Sequence, residues 1–365
     1  MLKVLQLLTM PVGGIRKHVE SILLDDSKGN LEYFCIYSNL VSDAQFTKNK
    51  SLIDKSIKAS LALPIRKIPW PTDILNIVNI ARFVKRYKID VIHCHGAKAG
   101  ILGRVVGGLT STKTFCTPHG GSLHANRSML MTRFYLIVEH LMVKWTTFFV
   151  FESEYSLRAF EGKVAMTDNK IINYNGVRCE DYVEPRKFTQ KVGFIGELRI
   201  EKGPDVFVET IEKYNRVFEK KIEGHIFGSG PLQEDLETKI ASQNISITLH
   251  GNVPTVADEL KKLDILVVPS RFESLGYVIL EALNSGVIVV CSGVGGTSEV
   301  ISDGYNGLIC RDNSAERYAY LIDKIINSSD DIINKYRQNG LLTLQDKFCE
   351  TKMLMTLKRQ YSSVI

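Results

Sequence analysis

Cysteine pairs are missing from this sequence. Its seven cysteines are an odd number, and they form no Cys-x-x-Cys motif. A framework of disulfide bonds is therefore not expected, whereas a reduced chain in the cytoplasm is. No chemistry is predicted for the thiols.

Long apolar runs are missing as well. Residues 134–151 come nearest, but Glu139, His140 and Lys144 interrupt them. A membrane-spanning helix needs roughly 18 uninterrupted apolar residues, so the chain is not expected to cross a membrane. The N-terminal MLKVLQLLTM has no small-residue cleavage site after its apolar stretch, and it predicts a first β-strand rather than a signal peptide.

Two ligand-binding motifs are also absent. No predicted strand is followed by Gly-x-Gly-x-x-Gly with an acidic residue about 20 positions later, which argues against a dinucleotide-dependent dehydrogenase. No Asp-x-Asp-like motif stands at a strand end to hold a metal and a diphosphate. His93 and His95 face the same side of a strand beside Cys94, but two histidines without further ligands at suitable spacing make a weak metal site. We therefore predict no metal, and we expect this strand end to line a ligand-binding cleft.

The chain has the length and composition of a two-domain globular protein. It has 365 residues, of which 44% are hydrophobic and 24% are charged. The net charge of +6 is unevenly shared, because residues 1–180 carry ten more basic than acidic residues. Either the first half faces an anionic partner, such as a phosphate-bearing substrate or a phospholipid surface, or these side chains are simply solvated.

Short β-branched runs alternate with helical patterns from KVLQLL near the N-terminus to VIVVCS in the second half. This alternation predicts two Rossmann-like, doubly wound parallel-sheet α/β domains. The polar stretch 178–190 separates two βα series, so the predicted domains are 1–184 and 185–348, with a helix at 349–365 that packs back on the first. Ligands bind such sheets where the strands end, and a cleft between the domains is the expected site.

The segment PSRFESLGYVILEALNSG (269–286) carries the clearest chemical signal. Glu273 and Glu281 flank a loop-to-helix junction, and they would lie about 12 Å apart along one side if the intervening residues were all helical. One carboxylate could accept hydrogen bonds from sugar hydroxyls and the other from a ribose, while the backbone N–H groups of residues 275–277 would attract a diphosphate. The alternative is that Glu273 caps the helix and Glu281 is solvated.

This segment and its continuation to Ile309 resemble the signature of the retaining glycosyltransferases of family 4, which have the GT-B fold. GGIRKHV, DVIHCHGAKAG, TPHG, IGELRIEKGPD and GSGPL occur in the family's usual order, so the resemblance covers nearly the whole chain. It implies that the first domain binds an acceptor and the second binds a nucleotide-sugar donor, with no cofactor. It further implies that Glu273 holds the donor hexose and Glu281 the ribose.

The resemblance also implies roles for other residues. Lys202 becomes a phosphate clamp, because a leaving nucleoside diphosphate needs a fixed cation. Many relatives have arginine where this chain has Glu197, and Arg199 is the expected substitute. His119 would hydrogen-bond the donor sugar or stabilise transition-state charge, while His18 is expected to be structural or at the acceptor edge. The remaining implied ligand contacts are Gly13, Gly14, Gly228, Gly230, Asn252, Val253, Leu275, Gly276, Tyr277 and Glu299.

The expected activity is metal-independent, retaining transfer of a sugar from a nucleotide sugar, with UDP favoured, to a glycan or lipid-linked acceptor in bacterial surface polysaccharide assembly. Residues 126–145 combine basic and apolar side chains, which is typical either of a packed helix or of one lying on a membrane. The basic first half favours peripheral contact with the inner face of the plasma membrane. No nucleic-acid partner is expected. A nucleotide-sugar epimerase or hydrolase and a non-catalytic, membrane-associated nucleotide-sugar-binding protein remain the alternatives.

Overall fold

The structure, a computed structural model, describes residues 1–120, 129–166, 168–182 and 186–364. The chain divides into two compact units: unit 1 comprises Met1–Asn175 and Thr351–Ile365, and unit 2 comprises Gly176–Glu350. The domain boundary that the sequence predicts near residue 185 lies outside the described residues.

Unit 1 is built on a seven-stranded parallel sheet. Its strands are β1 (Leu2–Leu8), β2 (Leu31–Ser38), β3 (Ala59–Leu63), β4 (Val91–His95), β5 (Lys113–Thr117), β6 (Phe148–Phe151) and β7 (Lys170–Ile172). They lie in the order β3-β2-β1-β4-β5-β6-β7. Because the chain winds outward in both directions from β1 and β4, the carboxyl ends of these two strands form the topological switch point, where ligands bind such sheets.

Helices cover this sheet. They are α1 (Gly13–Leu23), α2 (Ala44–Ser56), α3 (Asp73–Tyr87), α4 (Ala97–Thr110), α5 (Met129–Met142) and α6 (Glu154–Glu161), with a 3₁₀ turn at Val143–Trp145. The central strands β1 and β4 are buried over most of their length, as expected of parallel strands with both faces covered.

Unit 2 repeats this plan with six parallel strands. They are β8 (Val192–Ile195), β9 (Gly224–Phe227), β10 (Ile247–Gly251), β11 (Ile265–Val268), β12 (Ile288–Cys291) and β13 (Gly307–Ile309), in the order β10-β9-β8-β11-β12-β13. The helices are α7 (Pro204–Val217), α8 (Gln233–Ser242), α9 (Val256–Leu260), α10 (Tyr277–Asn284), α11 (Thr297–Val300), α12 (Ala315–Ile326) and α13 (Asp330–Lys347), with a 3₁₀ turn at Ile200–Lys202. The switch point of this sheet lies between β8 and β11.

The C-terminal segment returns to unit 1. The helix predicted at 349–365 corresponds to α14 (Glu350–Ser362), which follows the separate helix α13. Met353, Leu354, Leu357 and Tyr361 of α14 are buried in the core of unit 1 with β1 and β5. No helix among the described residues combines the length and the apolar character that a membrane span requires.

The two parallel sheets confirm the predicted α/β class. The sequence patterns do not predict β3, β13, α2, α6, α11 or α13. The two strands are only five and three residues long, which is too short to show a clear alternation of apolar and polar residues. Helix α13 contains Gly340, which disfavours a helix in isolation, but a β-carbon there would lie 3.0 Å from Leu283 of α10. Gly340 therefore allows α13 and α10 to pack closely.

Candidate functional site

In unit 2, the loops that follow β8, β9 and β10 are joined by backbone hydrogen bonds. The N–H of Leu198 donates to the Ser229 carbonyl at 3.0 Å, and the N–H of Gly228 donates to the Gly251 carbonyl at 2.7 Å. Gly228 has φ +133, and a β-carbon on it would overlap the Gly196 carbonyl oxygen. Only glycine therefore lets these loops pack, which brings Gly228, Gly230, Asn252 and Val253 to one edge of the sheet.

The loops after β8, β11 and β12 are joined in the same way. The N–H of Arg271 donates to the Glu201 carbonyl at 2.8 Å, and the N–H of Gly296 donates to the Glu273 carbonyl at 3.2 Å. Gly203 has φ +71, and a β-carbon on it would overlap the Pro269 carbonyl oxygen. The motifs EKG, PSRFES and GGTSE, which are far apart in sequence, thus form one surface at the switch point of unit 2.

Lys202 and Glu273 meet at this switch point. Their side chains form an ion pair with an Nζ–Oε2 distance of 2.5 Å. The Glu273 side chain is 12% exposed and that of Lys202 is 34% exposed, so the ammonium group is the more accessible partner. The two residues to which the sequence assigns sugar and phosphate binding are therefore in direct contact, in the crevice where α/β sheets bind ligands.

The start of α10 lies beside this pair. The helix begins at Tyr277, so only the last part of the interval between the two glutamates is helical, and the 12 Å separation of an all-helical segment does not apply. Gly276 precedes it with φ +92, a conformation that favours glycine. The N–H groups of Leu275 and Gly276 donate no hydrogen bond that the described residues show. They are suited to an anion, as free N–H groups at helix starts are.

The Arg199 guanidinium forms ion pairs with two carboxylates. Its guanidinium contacts Glu201 at 2.8 Å and Glu197 at 3.4 Å. The hydrogen bond to Glu201 raises the pKa of Arg199 further above its ordinary value. Two carboxylates balance its charge, so Arg199 is less available to a phosphate than a free guanidinium would be.

Arg271 and Asp205 are functional candidates that the sequence argument missed. Both guanidinium nitrogens of Arg271 bond to the Asp205 carboxylate, at 2.7 and 2.5 Å, and Arg271 also donates to the Ile200 carbonyl. Such bidentate pairs fix geometry as well as charge. This pair connects the Glu273 loop to the Lys202 turn, and its sequence signal was a charged residue in the loop after a buried strand.

Glu281 and Glu299 occupy the two short helices next to these loops, in α10 and α11 respectively. Both side chains are partly buried and both have interactions within the chain. The structure thus places them in the same edge region as Glu273, while their assigned roles toward ribose and sugar stay predictions.

In unit 1, His119 follows β5 at the carboxyl edge of the sheet. Its φ of +49 is unusual for a residue with a β-carbon, and such backbone strain concentrates at functional sites. The side chain is only 6% exposed. It points among other histidines: His119 Nε2 lies 3.1 Å from His95 Nδ1, and the His18 and His119 ring centroids are 5.2 Å apart.

A chain of hydrogen bonds continues inward from this cluster. His95 Nε2 lies 2.7 Å from Gln6 Oε1, and the Gln6 amide donates to the Tyr361 hydroxyl at 3.3 Å. That hydroxyl lies 2.5 Å from His93 Nδ1, whose ring also contacts Thr117. Both ring nitrogens of His93 are therefore hydrogen-bonded within the core. His93 is not available to bind a metal together with His95 and Cys94.

The start of α1 is occupied by a carboxylate. The Gly13 N–H donates to Asp43 Oδ2 at 3.1 Å, and Arg16 Nε donates to the same oxygen at 2.9 Å. Asp43 also caps α2 by accepting from the Phe46 N–H. The glycine pair Gly13 and Gly14 thus forms a tight βα turn, and Asp43 supplies the anion that a helix start favours.

The chain is similar to known proteins along most of its length. Residues 184–341 match the family model described as glycosyl transferases group 1, and residues 59–176 match that of a glycosyl transferase 4-like domain. The chain is 22% identical over 357 residues to the Escherichia coli UDP-Gal:alpha-D-GlcNAc-diphosphoundecaprenol alpha-1,3-galactosyltransferase, covering 91% of this chain and 86% of that one. It is 24% identical to an uncharacterized glycosyltransferase of Methanocaldococcus jannaschii, covering 97% and 95%.

Solved structures give the same fold. HepE of Anabaena, crystallised in complex with UDP-glucose, superimposes with a TM-score of 0.82 at 16% identity, covering 100% of both chains. Sucrose-phosphate synthase of Thermosynechococcus elongatus gives a TM-score of 0.82 at 15% identity, covering 100% of this chain and 99% of that one. The GT-B fold class predicted from the sequence is confirmed.

Proposed function

The chain belongs to the glycosyl transferases group 1 family, as the sequence resemblance predicted, and from this membership we propose that it transfers a sugar from a UDP-sugar to a lipid-linked glycan with retention of anomeric configuration. The proposed role is in the assembly of a bacterial surface polysaccharide. The donor is a substrate, and no cofactor takes part.

The observation that carries this proposal is the contact between Lys202 and Glu273 at the switch point of unit 2. A nucleotide-sugar diphosphate needs a cation and free N–H groups, and Lys202 and the start of α10 supply both. The sugar needs a hydrogen-bond acceptor close to the diphosphate, and Glu273 supplies it. When the diphosphate binds Lys202, Glu273 exchanges the ammonium for sugar hydroxyls.

The chemistry of the step follows from these groups. Charge grows on the diphosphate as the glycosidic bond breaks, and a fixed ammonium and backbone N–H groups stabilise that charge without a divalent ion at the diphosphate. Glu273 positions the sugar so that the acceptor oxygen enters on the face that the leaving group vacates. No covalent nucleophile is assigned.

Similar proteins support the choice of substrates. HepE was crystallised with UDP-glucose, and the Escherichia coli relative is named for a UDP-galactose donor and a diphosphoundecaprenol acceptor. A diphosphate-linked lipid acceptor is anionic, which suits the excess of basic residues in the first half of this chain.

A product assay tests the proposal. The full chain is incubated with UDP-glucose or UDP-galactose, with and without a diphosphoundecaprenol-linked saccharide, and the product is examined by NMR. We expect UDP release and a new α-linked sugar only when the acceptor is present. Free sugar or an epimerised donor without acceptor would instead indicate the hydrolase or epimerase, and binding without product would indicate a binding protein.

We also propose that unit 1 contacts the membrane in which such an acceptor is anchored. The chain has two tryptophans, and both are in unit 1 with about half of their surface exposed: Trp70 at 46% and Trp145 at 45%. Arg66 lies over the Trp70 ring at 4.9 Å and Lys144 over the Trp145 ring at 5.8 Å. Tryptophan beside a cation is suited to a lipid interface with anionic headgroups.

Further exposed apolar side chains accompany each tryptophan. Those near Trp70 belong to α3 and the loop before it, and those near Trp145 belong to α5: Ile68, Ile74, Leu75, Phe134, Ile137 and Leu141. Both helices contact α4, which places the two groups in one part of unit 1. Soluble proteins rarely leave so many large apolar residues together without a partner.

Vesicle binding measures this contact. The double variant Trp70→Ser, Trp145→Ser should bind phosphatidylglycerol vesicles at least about tenfold more weakly than the unchanged protein, because burying one such side chain contributes roughly 1.5–3 kcal/mol. The matched control is Tyr320→Ser in unit 2, since Tyr320 is 54% exposed and Arg317 lies over its ring. Equal binding by all three proteins would contradict the proposed surface.

A further inference from the structure

A network of buried polar side chains leads from the C-terminal helix α14 to His119 at the carboxyl edge of unit 1. Its members besides His119 are Gln6 of β1, His93 and His95 of β4, Thr117 of β5 and Tyr361 of α14. Each of these side chains belongs to a residue that is at most 1% exposed. Sequence spacing gave no sign of this network, because its members come from separate elements.

The hydrogen bonds of the network are continuous. His119 Nε2 lies 3.1 Å from His95 Nδ1, and His95 Nε2 lies 2.7 Å from the Gln6 amide. The amide reaches the Tyr361 hydroxyl at 3.3 Å, and that hydroxyl lies 2.5 Å from His93 Nδ1. Burying polar groups is costly unless they are bonded, and a fully bonded network holds each side chain in one orientation.

Each of the three rings in this network carries one proton. Burial lowers the pKa of His93, His95 and His119 well below the ordinary value, so the rings are neutral at neutral pH. A neutral imidazole donates from one nitrogen and accepts at the other. If His119 donates from Nε2, His95 must therefore accept at Nδ1 and donate from Nε2 to the amide oxygen of Gln6.

The Gln6 amide passes this constraint on. With its oxygen toward His95, its nitrogen donates to the Tyr361 hydroxyl, which then donates to His93 Nδ1. His93 in turn donates from Nε2 to the Thr117 hydroxyl at 2.8 Å. Turning the amide reverses every bond and moves all three ring protons to Nδ1. In both patterns each donor meets an acceptor, and in both the three histidines have the same tautomer.

The network leaves one nitrogen of His119 for a ligand. Within the described residues Nδ1 makes no hydrogen bond, and Glu152 Oε2, at 3.8 Å, lies beyond hydrogen-bond reach. The His18 ring packs against the His119 ring with centroids 5.2 Å apart, which restricts rotation of the imidazole. The direction of the network therefore decides whether Nδ1 offers a lone pair or an N–H.

We propose that Tyr361 and Gln6 are positioning residues that act through His95 to hold His119 in one orientation and one tautomer. His119 Nδ1 then presents the same group to every ligand that reaches this edge of unit 1. The inference rests on the proposed sugar transfer, in which that ligand is the donor sugar. The proton pattern itself can be measured without any turnover.

Nitrogen NMR of the full chain, labelled with ¹⁵N-histidine, measures this pattern at neutral pH. The ring-nitrogen shifts, assigned with single histidine variants, report which nitrogen carries the proton. We expect His93, His95 and His119 to be neutral and protonated on the same nitrogen, all on Nε2 or all on Nδ1. Protonation of His95 and His119 on different nitrogens, or a charged ring, would overturn the proposal.

Tyr361→Phe breaks the network at a distance from His119. The variant keeps the ring that packs against Phe115 with centroids 5.2 Å apart, so it should fold. Without the hydroxyl, the Gln6 amide is held from one side only, and the two nitrogen shifts of His119 should move toward each other as both tautomers become populated. Unchanged His119 shifts in the folded variant would refute the positioning role.

Tyr214→Phe is the matched control. Tyr214 is 0% exposed, lies in unit 2, and donates its hydroxyl to Asp323 Oδ1 at 3.2 Å, so the substitution also removes one hydrogen-bonded hydroxyl from a buried tyrosine. We expect it to leave the His119 shifts as they are. The same change in both variants would show a general effect of losing a buried hydroxyl and would contradict the network.

Turnover links the network to the proposed reaction. Tyr361→Phe should lower kcat for sugar transfer about tenfold with little change in KM for the donor, because a misplaced group affects the reacting geometry more than binding. Tyr214→Phe should change neither. An unchanged kcat despite altered His119 shifts would show that the network does not serve transfer. If the unchanged chain transfers no sugar, the proposed function fails while the NMR result still decides the proton pattern.

Discussion

Replacing Lys202 with alanine is expected to lower kcat/KM for sugar transfer by a factor of about 10² to 10³, which is the typical cost of removing one fixed group that stabilises transition-state charge. The loss should be mainly in kcat, because the charge on the diphosphate grows as the bond breaks. Steady-state UDP release in the presence of acceptor measures it. Glu273→Gln, which keeps the shape of the side chain but removes its charge, should also lose transfer.

The controls separate this effect from a general loss of charge. Lys239→Ala removes a lysine of similar exposure that pairs with Glu209 at 2.8 Å outside the site, and it should leave kcat unchanged. Arg199→Ala should cost less than Lys202→Ala because Glu197 and Glu201 already balance the guanidinium. Near-normal turnover by Lys202→Ala would remove the assignment of the diphosphate site, and a larger loss from Arg199→Ala would transfer that role to Arg199.

Replacing Arg104 with alanine is expected to destabilise unit 1 by about 3–5 kcal/mol. Arg104 is fully buried in α4 and pairs with Glu139 of α5, whose side chain is 3% exposed, at 2.8 Å. The substitution leaves a carboxylate buried without its partner and opens a large cavity. Since α4 follows His95 directly, a loosened α4 also disturbs the histidine cluster.

Fluorescence-detected urea unfolding measures this loss in unit 1 alone, because both tryptophans of the chain are in that unit. The exposed pair Arg158–Glu154 provides the control, and Arg158→Ala should cost less than about 1 kcal/mol. The double variant Arg104→Met, Glu139→Leu should recover most of the stability, since no buried charge remains. A loss for Arg104→Ala no greater than that of the control would show that the buried pair is unimportant.

The sequence by itself determined the fold class, and it predicted which loops would bind a donor. Continuous apolar runs of strand length, alternating with helical patterns, have few stable arrangements other than parallel sheets covered by helices. The glutamate pair around Gly276 was predicted to bind a ligand from its position at a loop-to-helix junction, and the lysine of EKG from the resemblance to a family. Both roles stay predictions.

Only the tertiary structure decided which distant side chains meet. Strand order across a sheet sets which loops become neighbours, and so Lys202 is paired with Glu273 and Arg271 with Asp205. The same cause brought His18, His95 and His119 together, because α1 begins, and β4 and β5 end, at one edge of unit 1. Local propensity contains no term for such pairings, whose energies come from contacts between residues tens of positions apart.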